Sequence, residues 1–442
     1  SISRFSNIKT KIIMFLNSKL YKLSFLVYGL GLTGQSVVKF FQRNKIKNYT
    51  VWDDNNKKLF KNKRTNNLKK NLQAVDYIIL SPGISLKKSK YKKFLTNYKD
   101  KIITDIDLIF LQKKIFKSIV VTGTNGKSTT CKLIYHVLKK NGFQTAIGGN
   151  IGKPILNISP KNNQFLVIEA SSFQLAHSKF ISPDYAFLLN ITNDHIDWHG
   201  SKRNYVNSKF KIFKLQNKNQ YGFLNKALQN NFKKRNFRNK LIIPKIQYYK
   251  KIKPKIKNSY LRSNINDENM SNVLAFSNLL KIKVKSFINA VNTFKGLNHR
   301  YEIFLKRKNF IYINDSKATS FQSTKAALSS AKNILWILGG LPKKNDKIIL
   351  KRLKKNIIKS YIIGRHVNFF KKQLINKIDV YVANSLENSI IKVHQDIKFL
   401  RQRKKYVILL SPSAASYDQF LNFEKRGEKF KKLVNKYAKK FI

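Results

Sequence analysis

Residues able to bind a phosphate group lie together between Ser118 and Cys131, in the sequence SIVVTGTNGKSTTC. The apolar run Ile119 to Val121 predicts a strand, and a helix is expected to begin near Lys127. Backbone N–H groups of the loop between them, with the positive end of the helix dipole, suit an anion. Lys127 would add a charge for the β- and γ-phosphates, and Ser128 or Thr129 a hydroxyl for Mg²⁺. The stretch therefore predicts a nucleotide site.

The loop departs from the strict phosphate-loop pattern G-x-x-x-x-G-K-[ST]. The first glycine of that pattern would fall at Val121, and Gly123 stands in for it. An ordinary turn rich in glycine, asparagine and threonine is the alternative interpretation. The strand and the helix on either side of the loop favour the nucleotide site.

Candidate metal ligands follow two later strands of the same region. The strand predicted over Phe165 to Ile168 leads into Glu169, a carboxylate well placed beside a phosphate loop to hold Mg²⁺ directly or through water. The strand Tyr185 to Leu189 leads into NITNDHIDWHG, which concentrates acids and histidines in a chain with few of either. A single histidine is usually structural, but this setting favours a site role for His195.

A second glycine-rich turn lies near the start of the chain. The strand Leu23 to Tyr28 precedes Gly29 to Gly34, which matches G-x-G-x-x-G, and Asp53 follows the next strand at the distance of a ribose-binding acid. Taken alone, this pattern predicts NAD binding, but any nucleotide diphosphate can use the same turn. The strand Val75 to Leu80 ends in the tight turn Ser81-Pro82-Gly83.

The last third of the chain repeats the pattern of a strand followed by polar or small residues. Because the carboxyl ends of parallel strands share one edge of a sheet, these residues predict a functional edge. The segments that follow the predicted strands are Asn314 to Ser320, Gly339 to Lys343, Gly364-Arg365 and Ser411 to Ser416.

These patterns predict a three-domain α/β protein. It would have a Rossmann-like N-terminal domain (1–105), a P-loop-type ATPase centre (106–296) and a Rossmann-like C-terminal domain (297–442). Residues 1–20 read as a basic leader, and residues 215–265 as weakly patterned strand and loop. A helix is expected over Asn266 to Leu280.

Composition limits the function classes. The chain of 442 residues has a net charge of +68, spread along its whole length, and 42% hydrophobic residues. The charge suits a binder of nucleic acids or anionic surfaces, or alternatively a surface that has drifted toward lysine without a selected role. The single cysteine, Cys131, excludes an internal disulfide and suits a reducing compartment. No apolar run is long enough for a membrane span.

The motifs taken together resemble the Mur ligases, ATP-dependent amino-acid ligases of peptidoglycan synthesis, and most of all the member that adds D-glutamate. The resemblance runs through almost the whole chain in the same order. Its motifs are GLGLTG, SPGI, TGTNGKSTT, GGNIG, EASSFQL, NITNDHIDWHG, GLNHRYE, NDSKATS, LGGLPK and SPSAASYDQFLNFEKRG. It implies a cytoplasmic monomer that binds UDP-N-acetylmuramoyl-L-alanine, D-glutamate, ATP and two Mg²⁺ ions, and that binds no nucleic acid.

The resemblance also implies roles for individual residues. The uridine and diphosphate would lie near Thr33, Asp53, Ser81, Pro82 and Gly83, and the sugar near Asn150, Ser171 and Gln174. ATP would contact Gly123, Thr124, Asn125, Gly126, Lys127, Ser128, Thr129, Asn269, Asn272, His299, Arg300, Asp315 and Lys317. The metal ligands would be Ser128, Thr129, Glu169, His195 and Lys209, the last as a carbamate, with Lys127, His195 and Lys209 catalytic. D-Glutamate would contact Thr319, Lys343, Ser416 and Phe423.

Two motifs depart from the family pattern. LGGLPK stands where a GGDGK-like loop is commoner, which leaves the environment of Lys343 open, and Tyr417 stands where a smaller apolar residue is usual. The alternatives are another Mur-type or folylpolyglutamate-type ligase, a basic nucleic-acid-dependent NTPase, an NAD-dependent oxidoreductase, and a decayed ligase.

Overall fold

The computed structural model describes residues 20–56, 58–86, 89–112, 115–192, 196–343, 346–400 and 404–441. The chain divides into two compact units. The first comprises the described part of residues 1–251 together with 268–291, and the second comprises 252–267 together with the described part of 292–442. The three domain boundaries expected from the sequence remain a prediction.

The first unit contains two parallel sheets. The four-stranded sheet has the order β2-β1-β3-β4, with strands β1 Phe25–Tyr28, β2 Tyr49–Trp52, β3 Tyr77–Leu80 and β4 Ile102–Ile103. The six-stranded sheet has the order β10-β9-β8-β5-β7-β6, with strands β5 Lys117–Thr122, β6 Thr145–Gly149, β7 Phe165–Glu169, β8 Tyr185–Leu188, β9 Tyr221–Leu224 and β10 Lys240–Ile242.

The second unit is built on one six-stranded sheet of order β11-β12-β16-β13-β14-β15. The edge pair β11/β12 is antiparallel and the other pairs are parallel. The strands are β11 Glu302–Arg307, β12 Phe310–Asn314, β13 Ile334–Gly339, β14 Ile357–Ile363, β15 Asp379–Asn384 and β16 Tyr406–Leu410.

Helices connect these strands, as parallel pairing requires. The α-helices are α1 Leu32–Arg43, α2 Leu68–Ala74, α3 Lys92–Asn97, α4 Asp105–Phe110, α5 Lys127–Lys140, α6 Ser172–His177, α7 Ile196–His199, α8 Lys202–Lys214, α9 Gln229–Lys233, α10 Ile246–Ile252, α11 Ser259–Arg262, α12 Asp267–Leu279, α13 Val284–Asn292, α14 Phe321–Ser329, α15 Val367–Leu374, α16 Leu386–Asp396 and α17 Phe423–Phe441. Short 3-10 helices lie at Leu20–Lys22, Lys61–Lys63, Lys99–Lys101, Ile155–Asn157, Lys226–Leu228, Lys253–Lys255, Asn264–Asn266, Lys351–Asn356 and Ile397–Phe399.

The mixed α/β class predicted from the sequence is confirmed. The central strands are continuous apolar runs because helices cover both faces of a parallel sheet. All four residues of β1 are buried, as are the last five of β5. No helix within the described ranges is both long enough and apolar enough to cross a bilayer.

The interpretation of residues 215–265 as strand and loop is wrong in part, because the segment also holds α9, α10 and α11. Each of the first two helices buries a single aromatic side chain, Phe232 in α9 and Tyr249 in α10. One apolar anchor in a helix of five to seven residues produces no 3.6-residue periodicity, so the sequence pattern could not reveal these helices.

Close packing of α1 on the first sheet depends on Gly34. A Cβ atom added there would lie 1.8 Å from the carbonyl oxygen of Gly29. The carbonyl of Gly29 also accepts a hydrogen bond of 2.8 Å from the hydroxyl of Ser81. The third glycine of the fingerprint is therefore required by backbone packing, whatever the turn binds.

We expect Gly34→Ala to lower the stability of the first unit by about 3 kcal/mol, since the helix must move away from the strand that precedes it. Chemical denaturation followed by circular dichroism measures the change. Gly31→Ala is the matched control, because a Cβ at Gly31 meets no atom within 4 Å and its φ of −67° is ordinary. Equal stability of the two variants would contradict the packing argument.

Candidate active site

The phosphate loop has the local structure predicted from the sequence. It leaves β5 and enters α5 through Gly126, which caps the helix with φ +82°. The Lys127 ammonium folds back over the loop and donates hydrogen bonds of 2.8 Å to the carbonyl oxygens of both Gly123 and Thr124. Lys127 and the N–H groups at the start of α5 therefore bring positive charge to one small loop.

Lys209 contributes a second ammonium group to the same loop. It is 1% exposed, donates a hydrogen bond of 2.8 Å to the Gly123 carbonyl, and lies 4.8 Å from the ring centre of Tyr205. The Tyr205 hydroxyl is in turn 2.8 Å from that of Thr124. Two lysines from different helices thus meet at one carbonyl oxygen, an arrangement that favours a phosphoryl group beside it.

Asn190, two residues after β8, accepts two hydrogen bonds from the phosphate loop. Its carbonyl accepts from the N–H of Thr124 at 2.9 Å, and its side-chain oxygen accepts from the N–H of Asn125 at 2.8 Å. Sequence reasoning did not single out Asn190, although it is the first residue of NITNDHIDWHG. His195, in the same motif, lies outside the described residues.

Glu169 has a feature that suits a metal ion. The side chain is 2% exposed, and one carboxylate oxygen accepts a hydrogen bond of 2.9 Å from the amide of Asn150. The other oxygen, Oε2, is buried with no hydrogen-bond partner among the described residues. A buried carboxylate oxygen left in this state fits a hard cation such as Mg²⁺. Within the described ranges, no group of three or more His, Cys, Asp or Glu residues forms a metal cluster.

Asn269 and Asn272 lie on α12 beside the phosphate loop. The side-chain oxygen of Asn269 accepts from the Thr130 hydroxyl at 3.2 Å, and a Cβ added to Gly126 would lie 2.2 Å from it. Asn272 donates to the Glu268 carbonyl at 3.0 Å, while its own side-chain oxygen is buried with no partner in the described chain. That oxygen is suited to accept from a ligand N–H group.

Ser171 and Gln174, predicted near the sugar, form the capping box that begins α6. The Ser171 hydroxyl accepts from the Gln174 N–H at 3.2 Å, and the Gln174 side-chain oxygen accepts from the Ser171 N–H at 3.0 Å. The Gln174 amide also donates to buried Asp105 at 3.0 Å. In this structure both side chains are engaged within the protein.

Asp53 shapes the glycine-rich turn of the first sheet. One oxygen accepts from the Leu30 N–H at 2.6 Å, and the other from the N–H groups of Asn55 and Asn56. Partial burial acts to raise the pKa of Asp53, but these backbone hydrogen bonds, with the Arg64 charge, bring it below its ordinary value. Thr33 is the second residue of α1, which begins after this turn, and Ser81, Pro82 and Gly83 follow β3.

His299 occupies a tight position in the second unit. Its φ is +61°, and its Nδ1 lies 2.9 Å from the Asn314 amide nitrogen. A Cβ added to Gly427 would lie 2.1 Å from that same Nδ1. Burial lowers the pKa of His299 below its ordinary value.

Asp315 and Lys317 follow β12, as predicted from NDSKATS. Asp315 accepts from the Tyr301 N–H at 3.0 Å and from the Ser411 hydroxyl at 2.7 Å. Burial raises the pKa of Asp315 to about 6. The Lys317 ammonium lies 5.2 Å from the ring centre of Phe423, which brings together two residues predicted on different motifs.

The remaining predicted residues of the second unit differ in exposure. Ser416 is buried, Thr319 is half-buried, and Lys343 is exposed. Arg300 is half-buried, with its Nε lacking a hydrogen-bond partner among the described residues. The side chain of Tyr417, which departs from the family pattern, is 70% exposed.

Similarity to known proteins identifies the class of protein that has this combination of fold and site. Residues 121–295 match the Mur ligase middle domain, and residues 23–99 match the Mur ligase MurD-like N-terminal domain. The chain belongs to the Mur ligase family, as the sequence predicted, and is a ligase.

Several similar proteins carry the name UDP-N-acetylmuramoylalanine–D-glutamate ligase. The protein of the Wolbachia endosymbiont of Brugia malayi is 34% identical over 96% of this chain and 98% of its own length. That of Rickettsia felis is 34% identical over 93% and 97%, and that of Francisella tularensis strain SCHU S4 is 32% identical over 96% and 99%.

Solved structures support the fold. MurF ligase from Thermotoga maritima, in complex with ADP, matches with a TM-score of 0.58 and 15% identity over 95% of this chain and all of that one. UDP-N-acetylmuramate-alanine ligase MurC from the same organism matches with a TM-score of 0.55 and 15% identity over the same shares.

Asp105 provides a pH test of the contact between α4 and α6. Burial raises its pKa from 3.8 to about 6. The folded chain therefore holds a proton that the unfolded chain releases between about pH 4 and 6, and stability falls as the pH rises through this window.

Asp105→Asn should remove this loss while keeping an oxygen for the Gln174 amide. We expect the variant to gain stability relative to wild type by up to about 3 kcal/mol between pH 4 and pH 7. Urea unfolding at a series of pH values measures the gain. A difference between the two proteins that does not change with pH would contradict the raised pKa.

Proposed function

We propose that this protein joins D-glutamate to UDP-N-acetylmuramoyl-L-alanine at the expense of ATP, in cytoplasmic peptidoglycan precursor synthesis. The observation that carries the proposal is the convergence of Lys127 and Lys209 on the Gly123 carbonyl, together with buried Glu169 at the end of β7, the strand paired with β5. The names of the curated relatives support the choice of substrates.

The chemical problem is to form an amide from a carboxylate, which is a poor electrophile. Transfer of the γ-phosphoryl group of ATP to the alanyl carboxylate would produce an acyl phosphate. The amine of D-glutamate then attacks the carbonyl carbon, and phosphate leaves from the tetrahedral intermediate. Catalysis of such a transfer consists chiefly of positioning and charge stabilisation.

The phosphate loop would bind ATP through residues of the first unit. The N–H groups of the Gly123–Thr129 segment and the Lys127 ammonium would hold the β- and γ-phosphates. The side-chain oxygens of Asn269 and Asn272 would accept hydrogen bonds from the adenine amino group; that of Asn272 has no other partner among the described residues. The bound ADP of the Thermotoga MurF structure supports nucleotide binding by this fold.

Glu169 would hold Mg²⁺ through its unpartnered oxygen, with the hydroxyls of Ser128 and Thr129, His195 and a carbamylated Lys209 as further ligands. A carbamate would convert the Lys209 cation into a carboxylate-like ligand. The ions would supply positive charge to the transferring phosphoryl oxygens. Two ions are proposed, as the resemblance implies.

The other substrates would bind at the edges where the remaining predicted residues lie. The uridine diphosphate would occupy the turn shaped by Asp53, next to Ser81. D-Glutamate would bind to the second unit near Thr319, Lys343, Ser416 and Phe423. A monomer that binds no nucleic acid remains part of the proposal.

A turnover assay with a panel of amino acids tests the proposal. We expect phosphate release that requires ATP, Mg²⁺, UDP-N-acetylmuramoyl-L-alanine and D-glutamate together. Addition of DNA or RNA should leave the rate unchanged. Equal turnover with L-lysine or meso-diaminopimelate, or none with D-glutamate, would contradict the assignment, and nucleic-acid-stimulated hydrolysis would favour the basic NTPase.

Glu169→Gln tests the metal site, since it keeps the shape of the side chain but removes its charge. We expect turnover to fall about 100-fold and half-maximal activity to need more Mg²⁺. Glu387→Gln is the control, since Glu387 pairs with Lys436 on the surface of the second unit at 3.1 Å. An unchanged Mg²⁺ dependence in Glu169→Gln would exclude this carboxylate as a ligand.

A further inference from the structure

Arg426 is a buried cation at the functional edge of the second sheet. It lies in the first turn of α17, is 1% exposed, and forms no ion pair with a carboxylate in the described part of the chain. Burial lowers its pKa to about 10, so it stays protonated at neutral pH. A buried guanidinium needs compensating hydrogen bonds, and here backbone carbonyls and one hydroxyl supply them.

The guanidinium contacts the loops that follow three neighbouring strands. After β12, its Nε donates to the Ser316 hydroxyl at 3.0 Å and its Nη2 to the Ser316 carbonyl at 2.8 Å. After β16, Nη2 donates to the Ala414 carbonyl at 2.9 Å. At the end of β13, Nη1 lies 3.5 Å from the Gly339 carbonyl.

Two of these loops are also joined directly. Leu341 and Ala415 exchange backbone hydrogen bonds of 2.9 Å in both directions. Gly340, which directly precedes Leu341, has φ +132°, and a Cβ there would lie 2.3 Å from the Ala415 carbonyl and 3.1 Å from Arg426 Nη1. The guanidinium thus connects a paired set of loops to the third loop, which begins at Asp315.

Each connected segment leads to one of the predicted D-glutamate contacts. Thr319 follows Ser316 by three residues, Lys343 follows Gly339 by four, and Ser416 follows Ala414 by two. Phe423 starts the helix that carries Arg426, and its carbonyl accepts from the Ser316 hydroxyl at 2.8 Å. All four predicted contacts therefore depend on elements that meet at one side chain.

We propose that Arg426 is a positioning residue that sets the geometry of the D-glutamate pocket by holding these three loops and the start of α17 in register. The inference rests on the proposed function for the identity of the bound amino acid. Only a planar fork of donors can reach three loops at once, so lysine, with one ammonium, cannot replace arginine here.

Steady-state kinetics of Arg426→Lys and Arg426→Met test the inference. We expect the KM for D-glutamate to rise about tenfold in Arg426→Lys and about 100-fold in Arg426→Met, since small displacements of binding groups are costly. The KM for UDP-N-acetylmuramoyl-L-alanine should stay within about twofold, because its predicted contacts all lie in the first unit. Arg426→Lys keeps the charge and the stem, so it serves if Arg426→Met does not fold.

Tyr312→Phe is the control for general destabilisation of the same unit. It removes a buried hydrogen bond of 3.1 Å between the Tyr312 hydroxyl and His394, and should lower the melting temperature without changing either KM. A wild-type KM for D-glutamate in both Arg426 variants would overturn the inference. So would equal rises in both KM values.

Amide hydrogen exchange separates this inference from the proposed function, because it requires no substrate. We expect faster exchange in the segments 315–320, 339–343 and 411–417 of both Arg426 variants, with exchange in the interior of β16 unchanged. If the wild-type protein does not use D-glutamate, the proposed function fails, while faster exchange in these segments still supports the positioning role. Unchanged exchange would overturn it.

Discussion

The convergence of two lysine side chains on the Gly123 carbonyl is the constraint around which the first unit is built. Lys127 reaches it from the start of α5, and Lys209 reaches it from α8. Two cations near one another in a buried setting repel, and the proposed carbamylation of Lys209, which replaces its positive charge with a carboxylate-like group, would relieve that repulsion. Asn190 and Tyr205 hold the loop in place for this arrangement, through the backbone and the hydroxyl of Thr124.

Motifs that combine a strand, a loop and a helix were predictable from the sequence. The phosphate loop, the glycine turn near Asp53 and the polar ends of β12, β13 and β16 all follow apolar runs that parallel strands require. Lys209 could be found only through the resemblance to a family, because a lysine in a chain with this many basic residues carries no signal of its own.

Contacts between segments that are distant in the sequence could not be predicted from local sequence patterns. Nothing in the sequence shows that Gln174 would engage Asp105, or that Gly427 must be small because His299 lies against it. The short helices of residues 215–265 escaped prediction for a related reason, since a single buried aromatic side chain supplies their tertiary anchor. Arg426 is one letter of the motif FEKRG, but its role depends on three loops, at Ser316, Gly339 and Ala414, that together span about a hundred residues of sequence.

In both units, buried charged or polar side chains hold the loops at the edge of a sheet, but the two units use different groups for this. In the first, the ammonium groups of Lys127 and Lys209 contact the phosphate loop, and Glu169 at the end of β7 has a buried carboxylate oxygen with no hydrogen-bond partner among the described residues. In the second, the guanidinium of Arg426 donates hydrogen bonds to carbonyl groups of the loops at the sheet edge. Asp315 accepts hydrogen bonds from the hydroxyl of Ser411 and the N–H of Tyr301. Buried polar groups of this kind rigidify loops that would otherwise be mobile.

We propose that phosphoryl transfer takes place at the loop of Gly123. The most direct measurement compares ATP-dependent turnover of Lys127→Ala with that of Lys132→Ala, a lysine on the same helix that makes no contact with the loop carbonyls in the described structure. If phosphoryl transfer takes place at this loop, we expect loss of turnover in Lys127→Ala and a near wild-type rate in Lys132→Ala. An intact rate in Lys127→Ala would contradict it.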